Sequence, residues 1–237
     1  MQPVSAQQTH AQVRVNEFIR SVYNWMAIGL ALTGFTAYYA AHSQAVLELL
    51  FSATGRPSML FYGLIIGELA LVFTLSARVS KMKASTATNL FVLYSALNGV
   101  TLSIIFLVYT SNSITSVFFI CAATFAAASA FGMVTKKDLT SMGQFLFMGL
   151  IGIVIASVVN MFMRSSGMAM IISYIGVIVF VGLTAYDTQK LKHMALSQPE
   201  GLDAGVIRKG AILGALTLYL DFINLFLMLL RILGDRK

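Results

Sequence analysis

The chain has 237 residues, 58% of them hydrophobic and 11% charged, with a formal net charge of +7. Soluble domains carry about 25% charged residues, so this chain has too little polar surface to face water all round, and its length reads as one membrane domain. The basic excess does not point to nucleic acid, because Lys and Arg sit mostly in short stretches between apolar runs, where they set membrane orientation.

Residues 1–22 are polar, with Gln2, Ser5, Gln7, Gln8, Thr9, Gln12 and Asn16. The apolar run that follows is too long for a signal-peptide core and reads as an uncleaved first helix. A helix needs about 20 apolar residues to cross the hydrocarbon layer. Seven segments qualify: 23–41, 59–78, 89–109, 114–134, 143–163, 168–187 and 210–233. Tyr23 and Trp25 are expected as interfacial anchors. The alternation of a membrane β-barrel is absent. The longest expected connections are 42–58, with Gly55 and Pro57, and 188–209, with Pro199 and Gly201; Pro3 also lies outside the helices. The predicted organisation is an all-α, seven-helix membrane domain over 23–233, a polar segment over 1–22 and a short basic tail over 234–237.

One end of the bundle collects Arg14 and Arg20, Arg78, Lys81 and Lys83, Lys136 and Lys137, and Lys190, Lys192, Arg208 and Lys209. The positive-inside rule makes that end, with the N-terminus, cytoplasmic. Arg56, Arg164, Arg231, Arg236 and Lys237 fall at the other end. The basic C-terminus argues against a seventh full crossing and leaves room for a last helix that only enters.

The Met and Phe residues read as packing or lipid-facing groups, and Asn98 and Asn160 as interhelical hydrogen-bonding groups. A carboxylate in mid-membrane costs about 2.5–3.5 kcal/mol and marks a pathway or relay. Glu68, Asp187 and Asp221 are the acidic residues within apolar segments; Glu17, Glu48, Asp138, Glu200, Asp203 and Asp235 lie in loops or tails. Asp221 belongs to a stripe of Gly210, Gly214, Thr217, Asp221, Asn224, Met228 and Arg231, spaced by three and four residues on one helix face. That helix is therefore expected to turn a small, polar face to protein, with Leu, Ile and Phe elsewhere. Asp187 closes the sixth segment, where Arg78 is expected at the same level; Glu68 and Arg231 form a second acid–base combination whose levels match less well.

Two close carboxyls cannot both ionise cheaply, so such a pair titrates as a unit and makes a proton-sensitive switch. Ionised, it offers hard oxygen ligands that suit calcium, which makes Asp187 and Asp221 the candidate metal-contacting residues. No zinc-peptidase helix, phosphate loop or nucleophile elbow is present. His10, His42 and His193 do not cluster in the sequence, and the single Cys121 cannot form an internal disulfide. An intramembrane aspartyl protease would share Tyr186-Asp187 but needs Gly-x-Gly-Asp where Leu218-Tyr219-Leu220-Asp221 stands. The chain is thus expected to be no enzyme and to need no cofactor.

Two segments carry a specific resemblance. They are Tyr174-Ile175-Gly176 on through Gly182-Leu183-Thr184-Ala185-Tyr186-Asp187-Thr188-Gln189, and Leu213-Gly214-Ala215-Leu216-Thr217-Leu218-Tyr219-Leu220-Asp221-Phe222-Ile223-Asn224-Leu225-Phe226. The chain resembles the transmembrane Bax inhibitor motif family, in its bacterial branch, over residues 20–235. The resemblance implies six helices in two three-helix layers around a central seventh. It implies a pH-sensitive calcium leak of the inner membrane, gated by protonation of Asp187 and Asp221, with Arg78 holding the dyad and a Glu68–Arg231 lock. Some bacterial relatives are instead associated with a membrane protease complex, so the alternative is a non-transporting modulator of a protease or stress response.

Overall fold

The structure is a computed structural model that describes residues 6–52, 56–199 and 201–237, with side chains from Val13 onward. The expectations for Pro3, Gly55, Glu200 and the polar side chains before Val13, His10 included, lie outside the described residues. The described elements are α1 (Ala6–His42), α2 (Gln44–Leu50), α3 (Met59–Arg78), α4 (Ala84–Leu102), α5 (Ile104–Val108), α6 (Ser111–Val134), α7 (Thr140–Met163), α8 (Ser166–Leu196) and α9 (Ala204–Leu233). In lipid every backbone polar group must be satisfied within the segment, which a helix does alone.

Six stretches are long and apolar enough to cross a membrane: α3, α4 with α5, α6, α7, α8 and α9. α1 is long enough, but Asn24, Trp25, Thr33, Thr36, Tyr38 and Tyr39 dilute its apolar run. It starts within the segment expected to be a polar lead-in, and Val15, Phe18, Ile19, Val22 and Met26 are buried at helical spacing. The N-terminal region is therefore an amphipathic extension of the first helix.

Three other boundaries differ from the expectation. The 42–58 connection contains α2, whose Leu50 is buried. The 89–109 segment breaks at Ser103, whose hydroxyl donates to the Val100 carbonyl at 2.7 Å and competes with the helix ladder. The 188–209 connection shrinks to 197–203, because α8 runs past the apolar stretch to Leu196 and α9 begins at Ala204.

The chain divides into two units, one of residues 1–108, 198–216 and 237, the other of 109–197 and 217–236. In the first, α4 packs against both α1 and α3. Thr33 Oγ1 donates to the Ser95 carbonyl at 2.8 Å, and a Cβ on Gly99 would run into Thr36, so small residues set the α1–α4 spacing. In the second, α8 packs against both α6 and α7. α9 contributes to both units, and 67% of its most apolar stretch is buried against 11% for α3 and α7. The expectation of one protein-facing stripe on this helix was too narrow: Leu218, Tyr219 and Leu225, off that stripe, are fully buried.

Candidate functional site

The site lies in the second unit, where α7 and α8 meet the C-terminal half of α9. α8 is started by Ser165, whose Oγ accepts from the Met168 N–H at 3.2 Å. Glycines then let its neighbours approach. A Cβ on Gly132 of α6 would collide with the Ala185 backbone carbonyl, and one on Gly143 of α7 would lie 2.5 Å from the Tyr186 ring. Beyond the apolar stretch, the buried Gln189 side chain accepts from the Leu139 N–H at 2.9 Å and donates to the Lys137 carbonyl at 2.8 Å. Lys192 Nζ donates to the Met133 carbonyl at 2.7 Å. The end of α8 is thus tied to the α6–α7 turn, which fixes the position of Asp187.

The carboxyl groups of Asp187 and Asp221 line the same cavity and are close enough to act on one another directly. A hydrogen bond between them would need a proton on one of the two oxygens that meet. Asp221 is 5% exposed, Asp187 half-buried, and the Asp221 Oδ2 is a buried oxygen with no hydrogen-bond partner. Both residues line a cavity of about 540 Å3, together with Gln144, Lys190, Thr217 and Asn224. Thr217, Asp221 and Asn224 are three of the residues on the stripe read from the sequence. Asn224 Nδ2 donates to the Leu220 carbonyl of its own helix at 2.8 Å.

Lys190 and Gln144 were not singled out from the sequence. Lys190 follows Asp187 by one helical step of three, so the spacing held a signal. It lies 5.9 Å from the Tyr186 ring centroid, and its charge acts on Asp187. Gln144 carries no pattern that sets it apart from other polar residues at helix ends.

None of the other candidates lines this cavity. Arg78 is exposed at the end of α3, in the first unit. Glu68, 8% exposed, is also in the first unit. Its Oε2 accepts from Asn98 Nδ2 at 3.0 Å and its Oε1 from Thr101 Oγ1 at 2.9 Å, so α4 answers both oxygens. Asn98 is the interhelical group expected. Asn160 is not: its Oδ1 accepts from the Ser165 N–H at 3.1 Å and closes the α7–α8 turn. Arg231 is exposed near the end of α9 and lines a separate cavity in the second unit.

A pair of carboxyls offers at most four oxygens, and calcium takes about six to eight. No group of three or more His, Cys, Asp or Glu side chains capable of holding a metal occurs among the described residues. Asp187 and Asp221 can therefore touch a hydrated cation in passing, or exchange a proton, more readily than they can store a bare ion.

The model of the family described as inhibitor of apoptosis-promoting Bax1 matches residues 15–237. The chain belongs to this family. Among its relatives is the inner membrane protein YbhL of Escherichia coli K12, 57% identical over 220 residues, covering 93% of this chain and 92% of the relative. A protein of Borreliella burgdorferi is 46% identical over 222 residues, covering 94% and 93%. The protein RP147 of Rickettsia prowazekii is 44% identical over 223 residues, covering 94% and 91%. With six apolar helices long enough to span a bilayer, this Bax inhibitor family member is a multi-pass membrane protein.

Proposed function

We propose that the protein is a pH-sensitive calcium leak of the inner membrane, controlled by the proton shared between Asp187 and Asp221. The observation that carries this reading is the juxtaposition of the two carboxyls at the wall of one cavity of about 540 Å3, with Asp221 Oδ2 buried and unpartnered. Protonated, the pair is closed on itself and offers a cation little negative charge. Losing the shared proton breaks the hydrogen bond, sets two like charges against each other and turns oxygens toward the cavity. Calcium is cargo in this scheme and no bond is made or broken, so the protein acts without catalysis or cofactor.

The placement in the inner membrane follows the relative's description and the helix content. The distribution of Lys and Arg puts the N-terminus in the cytoplasm. The family arrangement proposed is two three-helix layers around α9. In it Arg78 approaches Asp187 to favour its ionised form, and Glu68 and Arg231 form a lock that opens with the pathway.

The test is calcium flux in liposomes reconstituted with the full-length protein. Wild type is expected to pass calcium with a clear pH dependence, and Asp221→Asn to lose that dependence. An unchanged pH response in Asp221→Asn would sink the gate. Absence of flux at every pH, with recovery of a protease complex on the purified protein, would favour the non-transporting modulator.

A further inference from the structure

A second cavity, of about 530 Å3, lies in the second unit at the opposite end of α8 from Asp187, where α7 ends, α8 begins and α9 ends. Arg164, Arg231 and Arg236 all line it, with Asn160, Ser165 and Ser166. No acidic side chain among the described residues lines it. The acid next in sequence, Asp235, is engaged elsewhere: its Oδ2 accepts from Ser113 Oγ at 3.1 Å. Arg236 also lies 5.9 Å from the Tyr109 ring centroid, which steadies its guanidinium.

These arginines stand where the positive-inside rule disfavours them, which is the conflict the C-terminus raised in the sequence. α9 has the length to cross: its 30 residues span about 45 Å, more than the roughly 30 Å hydrocarbon layer. The structure gathers the charges around one hollow. Arg164 is held there in the left-handed region, φ 52° and ψ 33°, a C-terminal position that glycine ordinarily takes. Guanidinium groups match phosphate oxygens in geometry and charge. Beside the cavity the helix surfaces are exposed and apolar: Met161, Phe162 and Met163 at the end of α7, and Ile171 in α8.

We propose that this cavity binds the phosphate of an anionic phospholipid headgroup, with the acyl chains lying along the exposed ends of α7 and α8. A free phosphate shares the headgroup chemistry but has no use for the apolar surface beside it, which is why the lipid is the occupant. The site is distinct from the carboxyl pair, so it stands whether or not the protein passes calcium.

The experiment is native mass spectrometry of the detergent-purified full chain, offered phosphatidylglycerol, phosphatidylcholine or inorganic phosphate. Phosphatidylglycerol should be retained over phosphatidylcholine. Retention should fall about fivefold for each arginine removed in Arg164→Gln and Arg231→Gln, and weaken with salt. Arg56→Gln, with the same change of charge outside this cavity, should behave as wild type. Equal retention of the two lipids, or unchanged retention in the double variant, overturns the proposal. So does displacement of phosphatidylglycerol by inorganic phosphate, which would mark a soluble-anion site. Thermal stabilisation of the wild type by phosphatidylglycerol but not phosphatidylcholine provides a second readout if the double variant does not fold.

Discussion

Asp187 on α8 and Asp221 on α9 bring their carboxyls to the wall of one cavity, and Oδ2 of Asp221 is buried without a hydrogen-bond partner. A neutral isostere tests what that contact needs. Asn at position 221 can donate its own N–H to Asp187, so Asp221→Asn should fold with stability within about 1 kcal/mol of wild type. Asp221→Ala should lose about 1–3 kcal/mol, because it strands the Asp187 carboxyl and enlarges the cavity. Thermal unfolding in detergent distinguishes the two; equal losses would mean the contact adds little to the fold.

Glu68 holds α3 to α4 through Asn98 and Thr101. Glu68→Leu removes both carboxylate acceptors from this buried interhelical cluster, although Thr101 keeps the Asn98 carbonyl at 3.0 Å, and should cost about 1–3 kcal/mol. Glu68→Gln keeps one acceptor and should cost less than half of that. If Glu68→Leu were as stable as wild type, the cluster would be ornamental to the first unit.

Glycines at helix seams and glycines facing open space should respond in opposite directions. Gly132→Ala drives a methyl into the Ala185 backbone carbonyl, which cannot rotate away, and should cost about 1–3 kcal/mol. Gly152, on α7, has nothing within 4 Å of an added Cβ. Gly152→Ala should therefore be neutral or stabilising by up to about 1 kcal/mol, the difference in helix propensity. Paired melting curves decide this, and a larger loss at Gly152 would contradict the packing described.

Asp138 lies outside the membrane segments, and its Oδ1 accepts from both the hydroxyl and the N–H of Thr140 at the start of α7. Those hydrogen bonds, the hydroxyl first, hold its carboxyl below the usual carboxylate range. A group with a depressed folded-state pKa contributes fully above its ordinary value and loses that contribution as pH falls through the folded one. The protection of the Thr140 amide, taken relative to its intrinsic exchange rate at each pH, should therefore fall on acidification into that window. In Asp138→Ala that protection should be low already and no longer respond to this titration.

Much of the architecture was legible in the sequence. The bilayer requires about 20 apolar residues and an internally satisfied backbone for each crossing, so hydropathy located seven segments; six of them form helices long and apolar enough to span, while α1 falls short in apolarity. The helical period also placed Thr217, Asp221 and Asn224 on one face, and they line one cavity. Helix ends were less legible. α1 and α8 overrun their apolar runs because their extensions are held by protein contacts, Val15 and Phe18 in one and Gln189 in the other, and a hydropathy window sees none of these.

Tertiary structure alone decided three things. It showed that α9 is buried beyond its polar stripe, since lipid and protein interior are both apolar and the residue pattern cannot tell them apart. It brought Asp187, at the edge of an apolar run, to Asp221 in the middle of another. It also collected Arg164 and Arg231 from distant points of the chain around one cavity. In each case the deciding quantity is which surfaces of two helices meet, and that depends on the packing of both at once.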